Sequence, residues 1–355
     1  MKWGIAFGAV LGVLAALLIV AWYGLAAVGA ALELAGWTGL AAITIYHVVP
    51  VAVCALAWRA LFEAPRPSAL QFIWIRWLRD AGSDLLALLP GGGEMLGIRA
   101  MKLSGVEIGA ATATTVVDIT VEIMAQIAFT VLGLVVLLDR PAGPLVPWTL
   151  LGLAAIIPLA AAMFFAQRLG LIGLIERFAD KLAAGYGWTA LIHVSGLEER
   201  VHAIYRNRAA IARAFGLHFL AWIVGVGEAG IALAMMGVRP GFGSLIVLES
   251  LTFAIRTAAF FVPAAAGVQE GGYVLLGSAL GIAPEFALAL SLLKRGRELI
   301  LGTAALLLWH WIESRRMWRI LRPLPAGEAP VFGADMLSPE ASPDNRSALS
   351  DHSRP

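Results

Sequence analysis

A chain of 355 residues that is 60% hydrophobic and 14% charged lies outside the composition of soluble domains, where about 25% of residues carry charge. With a mean hydropathy of +0.82 it reads as an all-α, polytopic integral membrane protein before any motif is considered. The net charge of +2 selects no partner class, and no basic tract points to nucleic acid. Cys54 is the sole cysteine and falls in an apolar run, which excludes an intrachain disulfide framework. No Cys/His group has zinc-ligand spacing, and no phosphate-binding loop, dinucleotide fingerprint or nucleophile elbow occurs, so no cofactor is expected.

In chain order, residues 3–31 form a first apolar span. Lys2 ahead of it also fits a signal peptide, but the run is too long for a signal core and reads as a retained helix. A second span covers 37–58 and is followed by Arg59, Glu63 and Arg66. Residues 68–89 are apolar and aromatic yet carry Arg76, Arg79, Asp80 and Asp84. Of these, Arg76, Asp80 and Asp84 share one helical face. This segment ends in Pro90-Gly91-Gly92-Gly93-Glu94, which no continuous helix tolerates, and a short piece with Arg99 and Lys102 returns to Gly105. The pattern predicts a re-entrant hairpin, because irregular backbone at membrane depth must be buried in protein or line a wet cavity.

A third span, 107–138, carries Thr115, Asp118, Glu122 and Gln126 as a polar stripe, and a fourth covers 148–166. The polar connection 167–213 opens with an amphipathic stretch suited to the membrane surface. A fifth span, 214–236, contains Glu228. His47, His218 and Glu228 stand isolated in their spans and read as satisfied packing residues. A second mixed segment, 243–262, carries Glu249 and Arg256 and breaks at Pro263 to Gly272, with Glu270 inside the break. A final apolar run holds Lys294, Arg295, Arg297 and Glu298. The domain boundary falls after residue 322, and the tail 323–355, rich in Pro, Ser, Ala and Asp, reads as a disordered cytoplasmic extension.

Basic residues gather on one side if both mixed segments re-enter, leaving Arg140 and Arg239 opposite; both termini are then cytoplasmic. The two breaks also superpose. Glu94 precedes Gly105-Val106 by the spacing at which Glu270 precedes Gly281-Ile282. At that offset Asp118 falls on Lys294 and Glu122 on Glu298; measured back from Pro90 and Pro263, Arg76 falls on Glu249. With three full spans between the hairpins the second copy is inverted, the arrangement that points to a midplane transport site.

Four charges at mid-bilayer cost on the order of 12 kcal/mol at about 2.5–3.5 kcal/mol each, so Lys294 to Glu298 needs polar compensation. The expected partners are Asp118 and Glu122 in the other copy. Two readings stay open: an ion-pair network needed only for assembly, or a hydrophilic groove that receives a polar or anionic headgroup, for which the arginine fork suits phosphate.

Arg79-Asp80, Leu88-Leu89-Pro90-Gly91-Gly92-Gly93-Glu94 and Arg99 resemble the first signature of the flippase-like membrane region of lysyl-phosphatidylglycerol synthases. Val262-Pro263, Gly267 to Gly272 and Leu292 to Glu298 resemble its second. The wording Gly-Val-Gln-Glu-Gly-Gly-Tyr is most similar to the hopanoid-biosynthesis-associated membrane proteins, the L member of that set, over about residues 1–320. The resemblance implies a lipid translocase or export factor of the bacterial inner membrane, acting on a hopanoid or phospholipid-type headgroup, with hopanoid-biosynthesis enzymes as candidate partners. The chain departs from the synthases by ending after the membrane region, so lipid aminoacylation is not expected. The expected site comprises Arg76, Arg79, Asp80, Asp84, Glu94, Arg99, Asp118, Glu122, Glu249, Arg256, Glu270, Lys294, Arg295, Arg297 and Glu298. An intramembrane lipid-modifying enzyme and a non-transporting partner of a biosynthetic complex are the alternatives. Oligomeric state is not legible.

Overall fold

The computed structural model describes residues 25–63, 66–86, 91–138, 196–259 and 262–321, with a few isolated positions besides. Those residues are helical, with no strand among them. Most of the expected first span, the fourth span, the amphipathic stretch and the tail lie outside them.

The first two helices, α1 (Leu25–Tyr46) and α2 (Val48–Ala60), are not one rod. Gly36 (φ 57°, ψ −168°) interrupts α1 in a conformation that only glycine adopts without strain, which separates the end of the first span from the start of the second. A second break falls at His47, because Pro50 has no N–H to donate to the Tyr46 carbonyl four residues earlier.

The mixed segment after α2 forms α3 (Ala69–Leu85). Its start is fixed by a capping box: Ser68 Oγ accepts from the Gln71 N–H at 3.3 Å and Gln71 Oε1 from the Ser68 N–H at 2.8 Å. After Gly91, left-handed at φ 77°, the chain turns into α4 (Gly92–Leu103), which packs against α3. Gly93 makes that approach possible, since a Cβ there would strike Ser83 Oγ and the Arg79 carbonyl. Helix α5 (Ile108–Leu138) is strongly apolar, and its threonines return their hydroxyls to carbonyls one turn back.

A short α6 (Leu197–Arg206) leads into α7 (Arg208–Met235), which packs against α1, α2 and α5. The second mixed segment is α8 (Phe242–Ala258), followed by the turn Pro263–Ala265, then α9 (Val268–Ala279) and α10 (Pro284–Leu321). Helices α3 and α8 are both 17 residues long, and α4 and α9 are both 12. Gly91 and Gly267 precede the shorter pair at φ 77° and 76°, and Gly105 and Gly281 follow it at 89° and 79°.

By length and composition, Leu25–Ala60, Ile108–Leu138 and Arg208–Met235 are able to cross a membrane. The apolar side chains form two main clusters. One gathers Trp58, Phe72, Ile75, Leu78, Met101 and Val117 from α2 to α5. The other gathers Phe129, Val226, Leu233, Leu248, Tyr273 and Leu290 from α5 and α7 to α10. On α5 the first ends at Val121 and the second begins at Phe129; Glu122 stands in the gap. The polar groups collect where the clusters part. These features lie in the unit Met1–Trp309. In the second unit, His310–Pro355, the Arg315 guanidinium lies over the Trp311 ring at 3.9 Å.

Candidate functional site: a charged cavity among the helices

In the first cluster of charge, α3 meets α5 and α7. Arg76 grips Glu122 with both terminal nitrogens, at 3.0 and 2.6 Å, and its Nε reaches Asp80 at 2.8 Å. The four-residue spacing that put Arg76 and Asp80 on one helical face thus yields a direct pair. Arg79 donates to Asp118 at 2.6 Å, lies 3.5 Å from Glu122 and 3.8 Å from Glu94, and rests against the Trp58 ring. The other oxygen of Asp118 meets His218 Nε2 at 2.9 Å. Asp118 and His218 are fully buried.

The second cluster belongs to α8, α9 and α10. Lys294 Nζ contacts Glu249 at 2.5 Å, and Tyr273 donates to the other Glu249 oxygen at 2.9 Å. Arg295 reaches Glu270 at 3.2 Å and Glu298 at 3.4 Å. Glu270 also accepts the Gly267 N–H at 2.7 Å, so one carboxylate closes the N-terminus of α9 and receives an arginine. Arg297 pairs with Glu228 at 3.1 Å on α7 and with His47 at 2.7 Å, while His47 holds Glu228 at 2.8 Å. Arg256 pairs with Glu298 at 3.6 Å.

A cavity of about 260 Å³ lies between the two clusters. Its basic wall is Arg76, Arg256, Lys294 and Arg297. Asp80, Asp84, Glu122, Glu228, Glu249 and Glu298 face it, with Trp222 and Phe253 as the large apolar lining. Asp84 alone among these acids has no hydrogen bond or ion pair with another described residue. A separate cavity of about 700 Å³ is lined by Ser68, Gln71, Ser104, Glu107, Arg200 and Asn207.

The expected site residues therefore divide. Nine line the cavity: Arg76, Asp80, Asp84, Glu122, Glu249, Arg256, Lys294, Arg297 and Glu298. Arg79 and Asp118 stand behind its wall as a buried pair. Glu94 touches the first cluster at its edge, Glu270 and Arg295 brace the second, and Arg99 on α4 does not line the cavity.

One expectation is corrected. Lys294 and its neighbours are not compensated by Asp118 and Glu122, which are consumed by Arg76 and Arg79. Their counter-charges are Glu249, Glu270 and Glu228. His47, His218 and Glu228 are likewise more than packing residues: His47 contacts Glu228 and Arg297, His218 contacts Asp118, and Glu228 pairs with Arg297. Their signal in the sequence was a lone polar side chain in an apolar helix, which demands a partner without naming it.

This geometry coincides with a family assignment. Residues 5–305 match the family described as the lysylphosphatidylglycerol synthase TM region. The chain belongs to that family. It is accordingly an integral membrane protein related to lipid handling. No curated protein and no solved structure matches it.

Proposed function

We propose that the chain carries the polar headgroup of a membrane lipid, a hopanoid or a phospholipid-type lipid, across the bacterial inner membrane through the charged cavity while the tails stay in the bilayer. In this reading it is a transporter rather than an enzyme, with both termini cytoplasmic. The observation that carries it is the cavity itself: ten charged side chains converge on a space deep among apolar helices. Ionisable groups at such depth are costly and mark substrate pathways. At ~30 Å³ per water the space holds about nine waters, room for a small headgroup.

We read α3–α4 and α8–α9 as two oppositely inserted re-entrant hairpins of an inverted repeat. Their equal lengths and matching left-handed glycines support this. So do the ion pairs: Arg76 near Asp118 (3.6 Å) in one copy corresponds to Glu249 on Lys294 in the other, the same contact with its charges exchanged. The start of α3 and the end of α4 open on the same 700 Å³ cavity, as a helix pair that enters and leaves by one face requires.

The test is translocation of a headgroup-labelled lipid in reconstituted vesicles. Arg297→Ala and Glu122→Ala should abolish it while the purified variants keep their fold. Wild-type rates in both would refute the reading, and a chemically altered lipid in the extract would replace it with the enzyme alternative.

A further inference from the structure

Beside the cavity, three side chains from different helices converge on one point. Cys54 Sγ on α2, a Glu122 carboxylate oxygen on α5 and a ring nitrogen of His218 on α7 all lie within 4.8 Å of one another. His218 is fully buried, and its Nδ1 has no hydrogen-bond partner among the described residues. Its Nε2 is 2.9 Å from Asp118, so a neutral imidazole keeps its proton on Nε2 and presents its lone pair at Nδ1. A buried lone pair without a donor is unfavourable, and an electron-pair acceptor removes the penalty.

We propose that Cys54, Glu122 and His218 bind a divalent transition-metal ion of the zinc class. The donor set is the borderline one that zinc takes: a thiolate, an imidazole and a carboxylate. Asp118 holds the far side of the imidazole, the carboxylate–histidine–metal arrangement that orients the ligand and raises its basicity. Cys54 and Glu122 both line the cavity, so the fourth coordination position faces it. The first cluster pairs four carboxylates, Asp80, Glu94, Asp118 and Glu122, with two guanidiniums, Arg76 and Arg79, an excess of two negative charges. A divalent cation held by the Cys54 thiolate, its proton released on binding, halves that excess. Protonation of His218 halves it too and is the competing arrangement. The site stands whether or not the cavity carries a lipid.

Because Cys54 is the only thiol in the chain, its alkylation reports on this site alone, without any substitution. In the purified full-length protein, Zn²⁺ should slow maleimide labelling and a chelator should restore it. Co²⁺ should give a near-ultraviolet thiolate-to-metal absorption band with one ion per chain. Asp118→Asn should weaken binding by about 10–100-fold, and His218→Ala should remove the protection. His202 lies on α6 and is not one of the three ligands, so His202→Ala should leave the protection intact. An alkylation rate indifferent to Zn²⁺, the lack of a cobalt–thiolate band, or protection that survives His218→Ala would each overturn the proposal. The first two need only the wild-type protein, so a poorly folding variant does not rescue it.

Discussion

At the scale of single residues, the organising fact is that nearly every charge facing the cavity already has a partner. Lys294 and Glu249 show what that implies. Both are buried, and they meet at 2.5 Å. Removing one partner of a buried pair leaves an uncompensated charge and costs about 3–5 kcal/mol. Lys294→Ala should therefore lower thermal stability in detergent sharply. The exchange Glu249→Lys with Lys294→Glu should recover more than half of that loss, since the pair survives with its polarity reversed. A double variant no better than the single would mean that Tyr273 and the surrounding helices, rather than the pair, set the stability there. Arg256 makes a contrasting case. Its ion pair with Glu298 is long, at 3.6 Å, and its side chain is 22% exposed, so it is the basic residue of the wall most available to a ligand.

At the scale of elements, α3–α4 and α8–α9 are built from backbone rules that the sequence displays openly. Ser68 and Gln71 cap α3, glycines with positive φ flank α4 and α9, and Pro90 and Pro263 stand in the breaks. Hence the helix boundaries and the matched pattern were legible from the chain. The partners were not. Helical spacing places Arg76, Asp80 and Asp84 on one face but does not say which helix comes to meet them. Thus Arg76–Asp80 was readable as a local pair, whereas Arg297 with Glu228 and His47 depends on how α7 and α10 lie beside the α1–α2 break. The close packing of α3 on α4 yields a sharp prediction. Gly93→Ala should destabilise by about 1–3 kcal/mol through overpacking. Gly216→Ala, with open space around it on α7, should be neutral or stabilising by up to about 1 kcal/mol. Thermal unfolding of both variants side by side checks the contrast.

At the scale of the whole molecule, two apolar clusters part around a charged layer, and the cavity occupies the parting. The sequence announced a membrane protein with charge at mid-depth. It placed the compensation wrongly, because the superposition of Asp118 on Lys294 suggested a pair across the two copies. In the structure Asp118 turns to Arg79, Lys294 to Glu249, and Arg297 to Glu228. The stretch Lys294 to Glu298 is thus one wall of a shared cavity rather than the counterpart of the other wall.

That cavity is the route in our account, and Gly225 gives the most direct way to close it. Gly225 lines the space, and a Cβ added there meets nothing within 4 Å. Gly225→Leu should therefore narrow the cavity without removing a charge. Headgroup translocation in reconstituted vesicles, measured for this variant beside wild type at equal thermal stability, tests the claim. The account predicts that transport is lost. A folded Gly225→Leu protein that moves lipid at the wild-type rate would contradict it.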